Sequence, residues 1–290
     1  MLAAFLYLAD LQSDLDAILA APALKNATVG AVVRRAAGVL LYERNSRLRL
    51  VPASNQKLLT AAFALKRLGP DFAPRTRIWK LPDRIVVDSP GDPMMTYAQL
   101  IEARRQLGQR ENLPVYVRQA YRPGIGPSWE WDDLPNKYAA PVTAFTVDRG
   151  SFALWSSGGQ LEFRPASYGA RAMRFESRGP PQVRFDPTSM FAVVTGKLPD
   201  GSALLDTLAL GAPDKAAGSL LGSPVLPAFE VPDTAPTVVL NGTPVGGIVK
   251  ECLTRSDNNL AEHLLLMAAG SDGPLGDDPY VIARSRLRGF

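Results

Sequence analysis

The chain has 290 residues, 46% hydrophobic and 21% charged, a balance that fits a folded globular protein and excludes disordered and collagen-like chains. Its net charge of +4 and isoelectric point near 9.2 are not gathered into any basic run, so they describe a mildly basic surface and not a nucleic-acid-binding patch. A single cysteine, Cys252, and a single histidine, His263, exclude an internal disulfide and a multi-histidine metal site, and metal-dependent hydrolysis with them.

In chain order, residues 1–9 (MLAAFLYLA) are apolar but too short to cross a bilayer. They read as the trimmed end of an export leader without its basic start. Residues 10–20 carry a helical pattern, and 28–35 with 38–44 read as a hairpin turning at Ala36-Ala37-Gly38. Residues 54–68 give the strongest pattern, an Ala- and Leu-rich helix that stops at Gly69-Pro70. From 73 to 205 the texture changes to short β-like runs, among them 84–87, 113–117 and 191–195, separated by proline and glycine. Helical patterns return at 213–221, 245–253 and 259–269, and 280–290 reads as helix without a stop signal. An α+β chain follows, in which residues 1–72 and 206–290 build one discontinuous domain around a strand-rich insertion at 73–205.

On the 54–68 helix, positions 54, 57, 61, 64, 65 and 68 fall on one stripe, which places Ser54 and Lys57 on the face that Ala61, Ala64, Leu65 and Leu68 bury. Burying an ammonium is costly and favours its neutral form. A partly neutral lysine one turn from a serine is suited to take the hydroxyl proton. The same spacing also serves a helix-capping serine with a snorkelling lysine. Ser256-Asp257-Asn258 sits between two apolar helices, where it can aim a hydroxyl and an amide into a cleft or simply end one helix and cap the next. Cys252 and His263 both lie in apolar runs and read as core residues.

Taken together and in this order, Ser-x-x-Lys and Ser-Asp-Asn resemble the first two motifs of the penicillin-recognising serine enzymes. Longer matches narrow the resemblance. VPASNQKLLTAAFALKRLGPDF (51–72) is similar to the nucleophile helix of class C low-molecular-mass penicillin-binding proteins, the D-alanyl-D-alanine carboxypeptidase/endopeptidase family. Gly91-Asp92-Pro93, SWEWDDLPNKYAAPVTAFTV (128–147) and RSDNNL (255–260) resemble further segments of that family.

The resemblance implies a β-lactamase/transpeptidase-like helix-and-sheet domain, incomplete at its C-terminus, with a large inserted domain. It assigns Ser54 as the acylated nucleophile, Lys57 as its base, Ser256 as the proton relay and Asn258 as the holder of the substrate carbonyl. Asp133 would meet the amine of the diamino acid in a peptidoglycan stem peptide. It also implies β-lactam inhibition, a periplasmic or extracytoplasmic location, and no cofactor, because serine acyl transfer needs none. The family's third motif, Lys-Thr-Gly, occurs nowhere in these 290 residues, since Thr195-Gly196-Lys197 runs in the wrong order. Weak turnover is the resulting expectation. Two other readings stay open: a catalytically inactive descendant that binds wall peptides or a partner, and an esterase using His263 as base.

Overall fold

In the computed structural model, residues 2–108 and 111–290 are described, with side chains from Leu11 onward. The chain divides into two compact units, residues 1–53 and 54–290. In the first, helix α1 (Leu2–Leu19) precedes a hairpin of β1 (Ala31–Arg34) and β2 (Leu40–Arg44). Tyr42 of β2 is buried and donates to Asp16 Oδ1 of α1 at 2.5 Å, which ties the helix to the hairpin. The expected leader falls on the first half of α1, with Met1 and the side chains up to Asp10 outside the described residues.

The second unit opens with α2 (Gln56–Leu68), followed by β3 (Arg75–Lys80), β4 (Ile85–Ser89), α3 (Tyr97–Gln106) and β5 (Val115–Gln119). Strands β4 and β5 pair in parallel, which requires a crossover, and α3 supplies it while burying Leu100 and Ala103. The strand-rich texture of residues 73–205 does not predict this helix. Its signal is the capping box in which Thr96 and Gln99 bond each other's backbone.

After a long irregular segment come β6 (Ser151–Ser157), β7 (Gln160–Arg164), β8 (Arg171–Phe175), β9 (Gln182–Asp186), β10 (Phe191–Thr195) and β11 (Ala203–Ala209). They form two three-stranded sheets, ordered β11-β6-β7 and β8-β10-β9. Then follow α4 (Pro213–Ser219), β12 (Val225–Pro227), β13 (Val238–Asn241), α5 (Val245–Arg255), α6 (Asn258–Gly270) and α7 (Pro279–Arg288).

A five-stranded sheet runs β12-β5-β4-β3-β13. It draws strands from both sides of the boundary expected at residue 205, because β12 and β13 supply the hydrogen bonds that β5 and β3 would otherwise present as open edges. Every residue of the central strand β4 is buried, Asp88 included. Asp88 stands directly opposite Arg77 of β3 and Arg118 of β5 and bonds to both. Burial alone would raise the Asp88 carboxyl, but the Arg118 and Arg77 guanidiniums bring it below the usual carboxylate range.

Two hydrophobic cores follow from these elements. One gathers Ile78, Val87, Leu100, Val117, Phe152 and Leu208 around the sheets. The other packs α2 against α5 and α6, with α7 against α6, through Phe63, Ala64, Ile248, Leu260, Leu264 and Ala283. The small residues Ala61 and Ala64 let α2 approach closely, and each large apolar side chain buried there contributes roughly 1.5–3 kcal/mol. Among the described residues, no helix is long and apolar enough to cross a membrane.

Candidate active site

Ser54 lies in a single 3-10 turn, Ala53–Asn55, and the α-helix begins at Gln56. The expected shared buried face is therefore not what forms. Lys57 is 8% exposed and lies on the stripe with Ala61 and Ala64, whereas Ser54 is exposed and so is Leu65. The tighter winding of the 3-10 turn carries Ser54 off the helical stripe, and Phe63 takes a buried place instead.

An ammonium has three donors, and Lys57 Nζ faces three oxygens. It donates to Ser54 Oγ at 3.0 Å, Ser256 Oγ at 3.4 Å and Asn258 Oδ1 at 2.5 Å. Three side chains, one of them 3 positions from Lys57 and the others 199 and 201 away, are thereby gathered around its amine. Each acceptor is neutral, so the cation is satisfied by hydrogen bonds without a carboxylate partner among the described residues.

The Ser256-Asp257-Asn258 corner has a local cause. Ser256 adopts a left-handed backbone (φ 54°) that ends α5, and Asp257 caps α6 by accepting from the Leu260 N–H at 3.0 Å. The Asp257 N–H also bonds the Cys252 carbonyl at 3.0 Å. The corner thus serves as helix terminus and helix cap while its outer residues, Ser256 and Asn258, turn their side chains to Lys57. A cavity of about 560 Å³ opens beside it, lined by Lys137, Tyr138, Arg149, Glu251, Ser256 and Asn258 among others.

Asp133 is placed differently from these four. Its Oδ2 accepts from the Glu130 N–H at 3.0 Å and its Oδ1 from the Tyr138 hydroxyl at 3.0 Å, so both oxygens are engaged within its own loop. Tyr138 lines the cavity, whereas neither Asp133 nor Asp132 does.

Cys252 and His263 belong to the core. Cys252 is 1% exposed, and burial pushes its thiol up to about 11. His263 is 1% exposed, its Nδ1 lies 2.8 Å from the Tyr121 hydroxyl, and burial pushes it down to about 3. The side chain that faces Ser54 is the Lys57 amine, not this imidazole. Among the described residues, no three of His, Cys, Asp and Glu are gathered to hold a metal ion.

Two residues that no motif marks support the site. Glu262, one turn into α6, accepts from the Tyr280 hydroxyl and from Trp129, which anchors the Trp-rich loop to the helix carrying Asn258. Arg149 grips Asp257 at 3.0 Å. Neither stands in a spacing that marks it.

Residues 11–162 match the D-Ala-D-Ala carboxypeptidase 3 (S13) family. A D-alanyl-D-alanine carboxypeptidase from Actinomadura sp. (strain R39) is 33% identical over 158 residues, which is 49% of this chain and 29% of that protein. The fold is shared with penicillin binding protein 4 (dacB) from Haemophilus influenzae, at a TM-score of 0.65 and 18% identity over 87% of this chain and 65% of that one. The same protein complexed with a β-lactam aligns at 0.60 and 16% identity, covering 87% of this chain and 64% of that one. The chain thus spans less than two thirds of the length of these relatives.

Proposed function

The chain belongs to the D-Ala-D-Ala carboxypeptidase 3 (S13) family, and from that premise we propose that it carries the nucleophile side of a serine peptidase acting on the D-Ala-D-Ala end of peptidoglycan stem peptides. The observation that carries the reading is the three-way contact of Lys57 Nζ with Ser54, Ser256 and Asn258.

In this reading, Lys57, once its ammonium has released a proton, takes the proton of Ser54 as Oγ adds to the carbonyl carbon of the scissile peptide bond. The Ser54 N–H steadies the oxyanion. Ser256 passes the proton to the departing amine of the terminal D-alanine, the C–N bond breaks, and an ester to Ser54 remains until water hydrolyses it. Asn258 holds the adjacent substrate carbonyl. Asp133 would meet a side-chain amine of the stem peptide, in competition with its two present bonds inside the loop. A β-lactam would enter the same sequence and stall at the ester, and the enzyme would work in an extracytoplasmic compartment, where stem peptides are found. No cofactor is required.

Lys-Thr-Gly does not occur in these 290 residues, so they offer no such strand to the substrate carboxylate, and turnover by them alone is slow in this reading. The same observation favours a second reading, in which the chain binds stem peptides without cleaving them. The two are separated by incubating the chain with a diacylated Lys-D-Ala-D-Ala peptide and measuring released D-alanine. Release that stops in Ser54→Ala supports the peptidase; binding that survives Ser54→Ala, with no release by the unmodified chain, supports the binder.

A further inference from the structure

Asp148, Arg149 and Gly150 form three consecutive left-handed residues, with φ of 47°, 58° and 67°. The left-handed region is disfavoured for residues that carry a Cβ, and such outliers persist where the surroundings over-determine them. Here they are clamped from several sides. The Asp148 N–H donates to the Met95 carbonyl at 2.8 Å, Asp148 Oδ1 accepts from the Tyr97 N–H at 3.1 Å, and the Leu210 N–H donates to the Gly150 carbonyl at 2.7 Å.

The outcome of this turn is the direction of the Arg149 side chain. Its Nη1 donates to Asp257 Oδ2 at 3.0 Å and reaches Glu251 Oε1 at 3.5 Å. The two oxygens of Asp257 are thereby divided, with Oδ1 capping α6 through the Leu260 N–H at 3.0 Å and Oδ2 held by the guanidinium. Asp257 is the middle residue of the corner whose neighbours on either side, Ser256 and Asn258, face Lys57. Two half-exposed arms would be weak as surface ion pairs, but this guanidinium is fixed by a clamped backbone and acts on a carboxylate that is 18% exposed.

We propose that Arg149 is a positioning residue for the serine–lysine centre: by gripping Asp257 it holds the 256–258 corner in the register at which Ser256 and Asn258 stay within reach of Lys57. The proposal rests on the reading of Ser54 and Lys57 as the reacting pair, and its consequence is a separation between global stability and local order at the corner.

Arg149→Asn tests it. Asparagine tolerates the left-handed backbone better than arginine, so the thermal midpoint stays level or rises. The Leu260 amide is expected to exchange with solvent about tenfold faster and Ser54 to be acylated by a fluorescent penicillin about tenfold more slowly, the factor that one charge-assisted hydrogen bond is worth. Arg149→Lys, which keeps the charge, recovers most of both losses. Unchanged Leu260 exchange in Arg149→Asn overturns the proposal, and so does a midpoint that falls together with the exchange protection, which would mark a purely structural role. If the unmodified chain takes up no penicillin, the reading of Ser54 fails, while the exchange measurement still decides the role of Arg149.

Discussion

The amine of Lys57 and the side-chain carbonyl of Asn258 lie 2.5 Å apart although 201 positions separate them in the chain. Their contact joins the first turn of α2 to the first residue of α6, so the packing of those two helices sets the geometry of the Lys57 cluster. An ammonium held among neutral oxygens at 8% exposure costs stability. Lys57→Met, which replaces the cation by an apolar chain of similar length, is expected to leave the thermal midpoint unchanged or higher while removing acylation of Ser54. Asn258→Ala, which strips one acceptor from the cation, should cost about 1–3 kcal/mol of stability. Thermal denaturation of the two variants side by side checks the opposite signs.

Glu262 gives a pH dependence of defined sign. Burial raises its carboxyl above the usual value, with the Tyr280 and Trp129 donors pulling the other way. The folded value therefore lies above the unfolded one. The resulting stability is fully present below the unfolded value and is lost as pH rises through the folded one. Glu262→Gln removes the ionisation and keeps an acceptor. Its midpoint relative to the unmodified chain is expected to improve as pH rises from 4 through the folded value and to level off above it, and a constant difference between pH 4 and 8 would contradict this assignment.

Gly91 is the position where the Gly-Asp-Pro turn admits no side chain. Its φ is 109°, and a Cβ there would lie 2.3 Å from the Tyr121 hydroxyl. Tyr121 is 3% exposed and bonded to His263, so the ring has no room to withdraw. Gly91→Ala is expected to destabilise the chain by about 3 kcal/mol or more, from the strained backbone and the overpacking together. Chemical denaturation measures it.

Asp133 and Asp132 are distinguishable by substitution. If Asp133 exchanges its bonds to Glu130 and Tyr138 for a substrate amine, Asp133→Asn raises KM for a stem peptide with a free side-chain amine by about tenfold and leaves an acetylated peptide unaffected. Asp132→Asn should change neither. The reverse pattern would transfer the role to Asp132.

The gathering of Ser54, Lys57, Ser256 and Asn258 at the candidate site is legible because these residues sit in short motifs whose helical context shows in the sequence. Helices α2, α5 and α6 follow apolar periodicity, and the corner between the last two is spelled by its capping residues. What periodicity misplaced was Ser54, because one 3-10 turn at a helix entrance leaves no pattern in the sequence. Helix α3 lies within a strand-rich stretch whose texture hides it, although Thr96 and Gln99 announce it. The edge strands β12 and β13 are three and four residues long, too short for alternation to mark them, so the sheet they complete could not be bounded from sequence. Arg149 and Glu262 act across the fold on Asp257 and Trp129, and long-range partners of that kind leave no spacing to read.

Mass spectrometry of the chain after incubation with a penicillin puts the serine–lysine centre to the most direct test. A covalent adduct is expected on the peptide that contains Ser54, forming at least about 100-fold more slowly in Lys57→Arg, where the guanidinium keeps the charge but cannot serve as a base. An adduct on another residue, no adduct at Ser54, or an undiminished rate in Lys57→Arg would contradict the assignment of Lys57 as the base that activates Ser54.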